Sequence, residues 1–236
     1  MKRTVLFRDL GLMEYQKALD LQEELFENSI REKKSITNIN TDNRHFNLLF
    51  CEHPHVYTLG KSGQEENLLI NNLELQSKKA QFIKTNRGGD ITYHGPAQLV
   101  GYPILDLEAF HLGVRSYIEL MEESIIETIA EYGLKGELME GATGVWMEAK
   151  SKINARKICA IGVRTSHFIS MHGFALNVNT DLSYFNYINP CGFTDKGVTS
   201  MAKELGYELN MEEVKEVLLE KMTKLFNWKI KNYYNE

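Results

Sequence analysis

Between Gly144 and Val178 the chain reads as one strand after another: GVWM, KICAIGVR, SHFISM and GFALNV. The connections are too short for the crossover of a dozen or more residues that parallel neighbours require. Apolar runs linked this tightly favour a mixed or antiparallel sheet over a doubly wound parallel one. Earlier runs fit the same picture. Residues 4–8 (TVLFR), Phe46–Cys51, Val56–Leu59, Phe82–Thr85 and Leu99–Leu105 all read as strands.

Three segments carry helical periodicity instead. Leu12, Tyr15, Leu19, Phe26 and Ile30 mark a helix over about residues 12–33. Val114, Ile118, Met121, Ile125 and Ile129 form a single stripe, as do Val214, Val217, Leu218, Met222 and Leu225. Asn210, with Glu213 three residues on, marks the start of the last helix. Residues 35–44 and 61–79 read as polar loops, the second with a helical turn or two. The expected class is α+β: a mixed, largely antiparallel sheet with helices packed against it. The whole of 1–236 is expected to form a single domain.

Charge narrows the function. With 27 Lys+Arg against 32 Asp+Glu, the net charge of −5 argues against a nucleic-acid binder. No apolar stretch approaches the roughly 18 residues of a membrane span. The first apolar run is broken at Arg8 and Asp9, so it does not read as a signal peptide. Cys51, Cys159 and Cys191 are odd in number and form no CxxC, which suggests free thiols in a reducing, cytoplasmic compartment. There is no HExxH, GxGxxG or GxSxG, and Val198 stands where a P-loop would need lysine. Neither a metal nor a cofactor is expected.

Several residues stand out. Cys51 and Cys159 lie in apolar runs and read as core thiols. Cys191 sits in INPCGF, between proline and glycine, either as an incidental loop thiol or as a side chain presented to a cleft. RGGDITYHGP (87–96) is the densest polar segment, either a ligand cradle with backbone N–H groups for an oxyanion or a plain turn. Lys157 opens an apolar strand; it is a solvated flanking charge unless its amine serves a thiol. His172 reads first as structural. From Ala149 to Thr180 no acid occurs, whereas Lys150, Lys152, Arg156, Lys157 and Arg164 do, so a basic face for an acidic partner is expected there.

The ordered set EHPHVYTLGKSG, RGGDITYHGP, QLVGYPILDL, GVW, KICAIGVR, HGFALNVN and INPCG resembles the lipoyl(octanoyl) transferase family. The resemblance runs from about residue 4 to residue 205. It implies the fold of the biotin and lipoate ligase catalytic domains, a mixed sheet with helices against one side. It also implies transfer of an octanoyl group from acyl carrier protein, through a cysteine thioester, to a lysine. The acceptors would be lipoyl domains of 2-oxoacid dehydrogenases and the glycine-cleavage H protein. By this resemblance Cys191 is the nucleophile and Lys157 its partner. Substrate would be bound by Arg87, Gly88, Gly89, Asp90, Ile91, Thr92, Tyr93 and His94, by Ala160, Ile161 and Gly162, and by Gly173, Phe174 and Ala175. Two departures stand out: Ala97 replaces a usual glycine, and the stretch before Lys157 is longer than usual.

An ATP-dependent lipoate or biotin ligase would use the same fold but leaves Cys191 without a role. A non-catalytic module that binds carrier protein would need neither Cys191 nor Lys157. A monomer is expected, because no long apolar stripe remains once the helices are placed. No membrane or nucleic-acid partner is expected.

Overall fold

The computed structural model describes residues 2–35, 46–189 and 196–232. Its larger sheet is built from β1 (Arg3–Leu12), β2 (Phe46–Glu52), β6 (Gln98–Ile104), β7 (Glu137–Met139), β8 (Ala142–Met147), β9 (Arg156–Ser166), β10 (Ile169–Asn177), β11 (Gly197–Val198) and β12 (Trp228–Asn232). The order is β12-β1-β2-β6-β10-β9-β8-β7, and β11 adds to β9. The pairs from β2 through β7 are antiparallel, whereas β1 pairs parallel with both β12 and β2, and β11 parallel with β9. A smaller sheet orders β4 (Gln81–Lys84), β3 (Val56–Leu59) and β5 (Ile91–His94). The class is therefore the expected one.

The helices are not confined to one side. On β2, Leu48 and Phe50 join a core formed with α3 (Val114–Ala130) and α5 (Met211–Leu225), while Leu49 and Cys51 join a second core with Tyr15, Ala18, Leu19 and Phe26 of α1 (Tyr15–Ser35). Successive strand residues point to opposite faces. A strand covered on both faces is apolar almost throughout, which is why Phe46–Cys51, with Asn47 its one polar residue, shows no alternation. The one-sided arrangement implied by the resemblance is corrected on this point.

The three strand-like runs from residue 157 to residue 178 become two. β9 and β10 form one long hairpin whose turn is made by His167 and Phe168, both with φ near +60°. Gly173 does not break β10. It sits in the strand interior because a Cβ there would meet the Gly101 carbonyl oxygen at 2.1 Å. Asn210 caps α5 through its Oδ1, which accepts from Glu212 N. A full capping box stands instead at Asn71 and Glu74, which starts the short α2 (Asn72–Ser77) inside the expected loop. Apart from Ser35, the last residue of α1, the loop expected at 35–44 lies outside the described residues. Among the described residues, no helix is long and apolar enough to cross a membrane.

Candidate active site

Three backbone approaches bring the polar segments together. Gly88 N donates to Val163 O on β9 at 2.9 Å, so the RGG turn lies against that strand and its Gly88 N–H is not left for an oxyanion. Gly162 faces it, and a Cβ there would meet Gly88 O at 2.9 Å. On the neighbouring ladder Gly162 pairs with Gly173 and Ala160 with Ala175.

These elements enclose a cavity of about 150 Å³. Its apolar lining includes Val100, Ile161, Phe174, Ala175, Phe185 and Val198. Arg87, Gly88, Gly89, Asp90, Ile91, Thr92, His94, Ala160, Gly162 and Gly173 also line it, and so does Lys157. Tyr93 does not; its hydroxyl bonds His55 Nδ1 at 2.7 Å and its ring stacks on Tyr184. Alternation along β5 turns it into the core of the smaller sheet. Cys191 lies outside the described residues; Phe185 and Lys196, on either side of it in sequence, both line the cavity.

Lys157 is held at the end of β9. Its Nζ donates to Thr143 O at 3.0 Å and sits 4.6 Å from the centre of the Trp146 ring. Trp146 is its cross-strand partner. On its other side β9 meets β11, with Thr199 N donating to Lys157 O at 2.9 Å. Thr199 O in turn accepts from Asn177, whose Oδ1 accepts from Gln98, and Gln98 Oε1 accepts from His94 Nδ1. One hydrogen-bonded line thus runs from the RGGDITYH segment to the backbone of Lys157.

The histidines here are neutral. Burial, with Arg87 among the nearby charges, holds His94 down at about 3 and His172 at about 3. Arg87 is itself buried, donating from Nη2 to Thr58 O at 2.6 Å and from Nη1 to Gly88 O at 3.0 Å. It braces the RGG turn against β3. Cys51 and Cys159 are fully buried, and burial pushes both thiols far above the ordinary range. Neither is suited to act as a thiolate nucleophile. Among the described residues, no cluster of His, Cys, Asp and Glu could hold a metal ion.

The chain matches the lipoyl protein ligase A/B catalytic domain family over residues 14–223. Curated relatives resolve it further. An octanoyltransferase of Cytophaga hutchinsonii is 49% identical over 98% of this chain and 96% of its own. An octanoyltransferase of Christiangramia forsetii is 52% identical over 98% and 99%. The chain belongs to the octanoyltransferase family. Among solved structures, the bipartite lipoate protein ligase of Thermoplasma acidophilum superposes on this octanoyltransferase-family chain with a TM-score of 0.68. It covers 99% of this chain and 88% of its own at 14% identity, a likeness of fold alone.

Sequence reasoning missed several residues that line the cavity of this octanoyltransferase-family member: Tyr15, Gln98, Tyr102, Trp146, Asn177 and Lys196. Trp146 and Gln98 sit inside quoted motifs and were within reach; nothing local marks Tyr15 or Lys196. The basic face expected over 150–164 is also thinner than its sequence. Arg156 is paired with Glu204 and Glu148, and Arg164 lies over the Phe26 ring. Lys150 and Lys152 remain as exposed charges in the turn before β9.

Proposed function

We propose that this chain, acting as a single catalytic domain, moves an octanoyl group from acyl carrier protein to a lysine of a lipoyl domain through a thioester on Cys191. The observation that carries the reading is the seat of Lys157. Its amine stands on the wall of a largely apolar cavity, at the strand end where β11 brings in the chain that follows Cys191. Family membership supplies the acyl group, and the burial of Cys51 and Cys159 favours Cys191 as its carrier.

The chemistry balances without ATP. The Cys191 thiolate attacks the donor thioester carbonyl, and the pantetheine thiolate leaves with the proton that the cysteine gave up. The acceptor lysine then attacks the enzyme thioester, and the Cys191 thiolate leaves. The proton lost by that amine passes to Lys157. A free thiol has a pKa of about 8.5, so a nearby cation or proton acceptor is needed to raise the thiolate fraction at neutral pH. A positioned proton carrier is worth about 10²–10⁴ in rate. Donor and acceptor are both proteins in this reading, the acceptors being lipoyl domains of 2-oxoacid dehydrogenases and the glycine-cleavage H protein. The enzyme would work as a cytoplasmic monomer without a cofactor.

The test is intact-protein mass spectrometry after mixing with octanoyl-carrier protein in the absence of ATP, followed by peptide mapping. An octanoyl adduct on Cys191 that chases onto a lipoyl domain supports the reading. A modified Cys159 with an untouched Cys191, or a strict need for ATP and free acid, overturns it.

A further inference from the structure

Beneath the strand that holds Lys157 lies a carboxylate the reaction does not itself require. Glu122 is on α3, 7% exposed, among Met121, Ile125 and other core residues. Burial pushes its acid above the ordinary range, and the Lys157 charge acts in the opposite direction. Its Oε1 accepts from Gly144 N at 2.8 Å.

Gly144 is an unusual residue to hold. Its φ is +113°, and a Cβ there would meet the Cys159 carbonyl oxygen at 2.4 Å, so glycine is the residue this conformation and contact admit. The ladder between β8 and β9 shifts register just after it, between Val145 and Trp146. Such a bulge re-aims the residues around it. Thr143 comes immediately before, and its carbonyl is the oxygen that accepts from Lys157 Nζ. Trp146 comes two residues after, under the same amine. Two groups that hold the amine therefore flank the one backbone N–H that Glu122 ties down.

We infer that Glu122 is a positioning residue: by anchoring Gly144 it fixes the bulge that aims the Thr143 carbonyl and the Trp146 ring at Lys157. Glu122 touches neither donor nor acceptor in this role. The acceptor oxygen is what matters, so a neutral amide in its place keeps the function. The inference rests on the reading of Lys157 as the proton carrier.

The test compares Glu122→Gln, Glu122→Met and Glu122→Ala, each in the wild-type and the Lys157→Ala background. Folding is checked by circular dichroism and turnover is followed by octanoylation of a lipoyl domain. Met fills the volume without accepting a hydrogen bond, and Ala covers the case in which Met does not fold. The expected result is a kcat lower by about 10- to 100-fold in Met or Ala, the scale of a misplacement near 1 Å. The donor KM should stay unchanged, and Gln should remain within about threefold of wild type. In the Lys157→Ala background the Glu122 substitutions should cost nothing more. Wild-type kcat in Glu122→Met, a Gln variant as slow as Met, or an equal further loss without Lys157 each overturns the inference. Undiminished turnover in Lys157→Ala alone overturns instead the reading on which it rests.

Discussion

Lys157 and Trp146 face one another across the β8–β9 ladder, the ammonium 4.6 Å from the centre of the indole. An aromatic face stabilises the charged amine by about 0.5–2 kcal/mol, depending on how dry the site is. Removing it should lower the Lys157 pKa. In Trp146→Leu the ionisation assigned to this lysine in the pH–rate profile should move down by up to about 1.5 units, since one unit corresponds to ~1.4 kcal/mol. Trp146→Phe keeps a ring face and should shift less. Identical profiles in wild type and Trp146→Leu would show that the ring does not influence the amine.

Lys157 itself separates a structural from a chemical role. A charge that only flanked a strand would be worth about 0.5 kcal/mol or less of stability. Lys157→Ala should keep its melting temperature within a few degrees yet lose about 10²–10⁴ in kcat. Near-normal turnover of Lys157→Ala in a steady-state assay would place the proton elsewhere.

Stability should fall in mild acid. His53, His94 and His172 are buried, and burial holds them at about 4, 3 and 3 against an ordinary value of 6.5. The unfolded chain takes up protons that the folded chain refuses once the pH drops below about 6.5. The stabilisation is complete above that value and is lost progressively as pH falls, to about 4 for His53 and about 3 for His94 and His172. Each histidine contributes at most about 1.4 kcal/mol per pH unit. Urea titrations at pH 7.5 and 5.0 should show the loss. A flat stability profile across this range would mean that these imidazoles charge freely in the folded state.

Ala97 offers a stabilising change. Its φ is +58°, in the left-handed region that favours glycine. Its backbone is firmly engaged: N–H donates to Glu52, and the carbonyl accepts from Asn179 N and Thr180 Oγ1. A left-handed L-residue costs about 1–2 kcal/mol, whereas glycine adds about 0.4–1 kcal/mol of unfolded-state entropy. Ala97→Gly should therefore raise stability by roughly 0.5–1 kcal/mol. Thermal melting decides it, and a drop in Tm would show that the turn tolerates alanine without strain.

What the sequence made legible follows from where the signal is local. The α3 and α5 stripes are periodic within one element and the strand at Phe46–Cys51 is a continuous buried run, and all three read correctly apart from Val114, which is exposed. Edge elements do not carry that signal. Trp228–Asn232 is a parallel strand only because β1 lies beside it, and Gly197–Val198 is one only because β9 does. The candidate site divides in the same way. Arg87, the glycines, Lys157 and the small residues at 160–162 and 173–175 sit in dense motifs and converge on one cavity. Tyr93 sits in the same motif, but strand alternation turns it away. Tyr15 reaches the cavity from the first turn of α1, a contact made only in three dimensions. Arg156 looked like a docking charge because Glu204, 48 residues distant, gave no sign of being its partner.

The terminal strand of the large sheet has a consequence of its own. β12 pairs with β1 along one side, and the residues of β12 at 229 and 231 are both exposed lysines. An open row of backbone donors and acceptors invites a second sheet to zip onto it, and charged side chains along the rim discourage that. At the far end, β7 is only three residues long, too short a template for such growth. Two blunted rims disfavour edge-to-edge growth of the sheet. Replacing Lys229 and Lys231 with threonine would strip that protection from the longer rim.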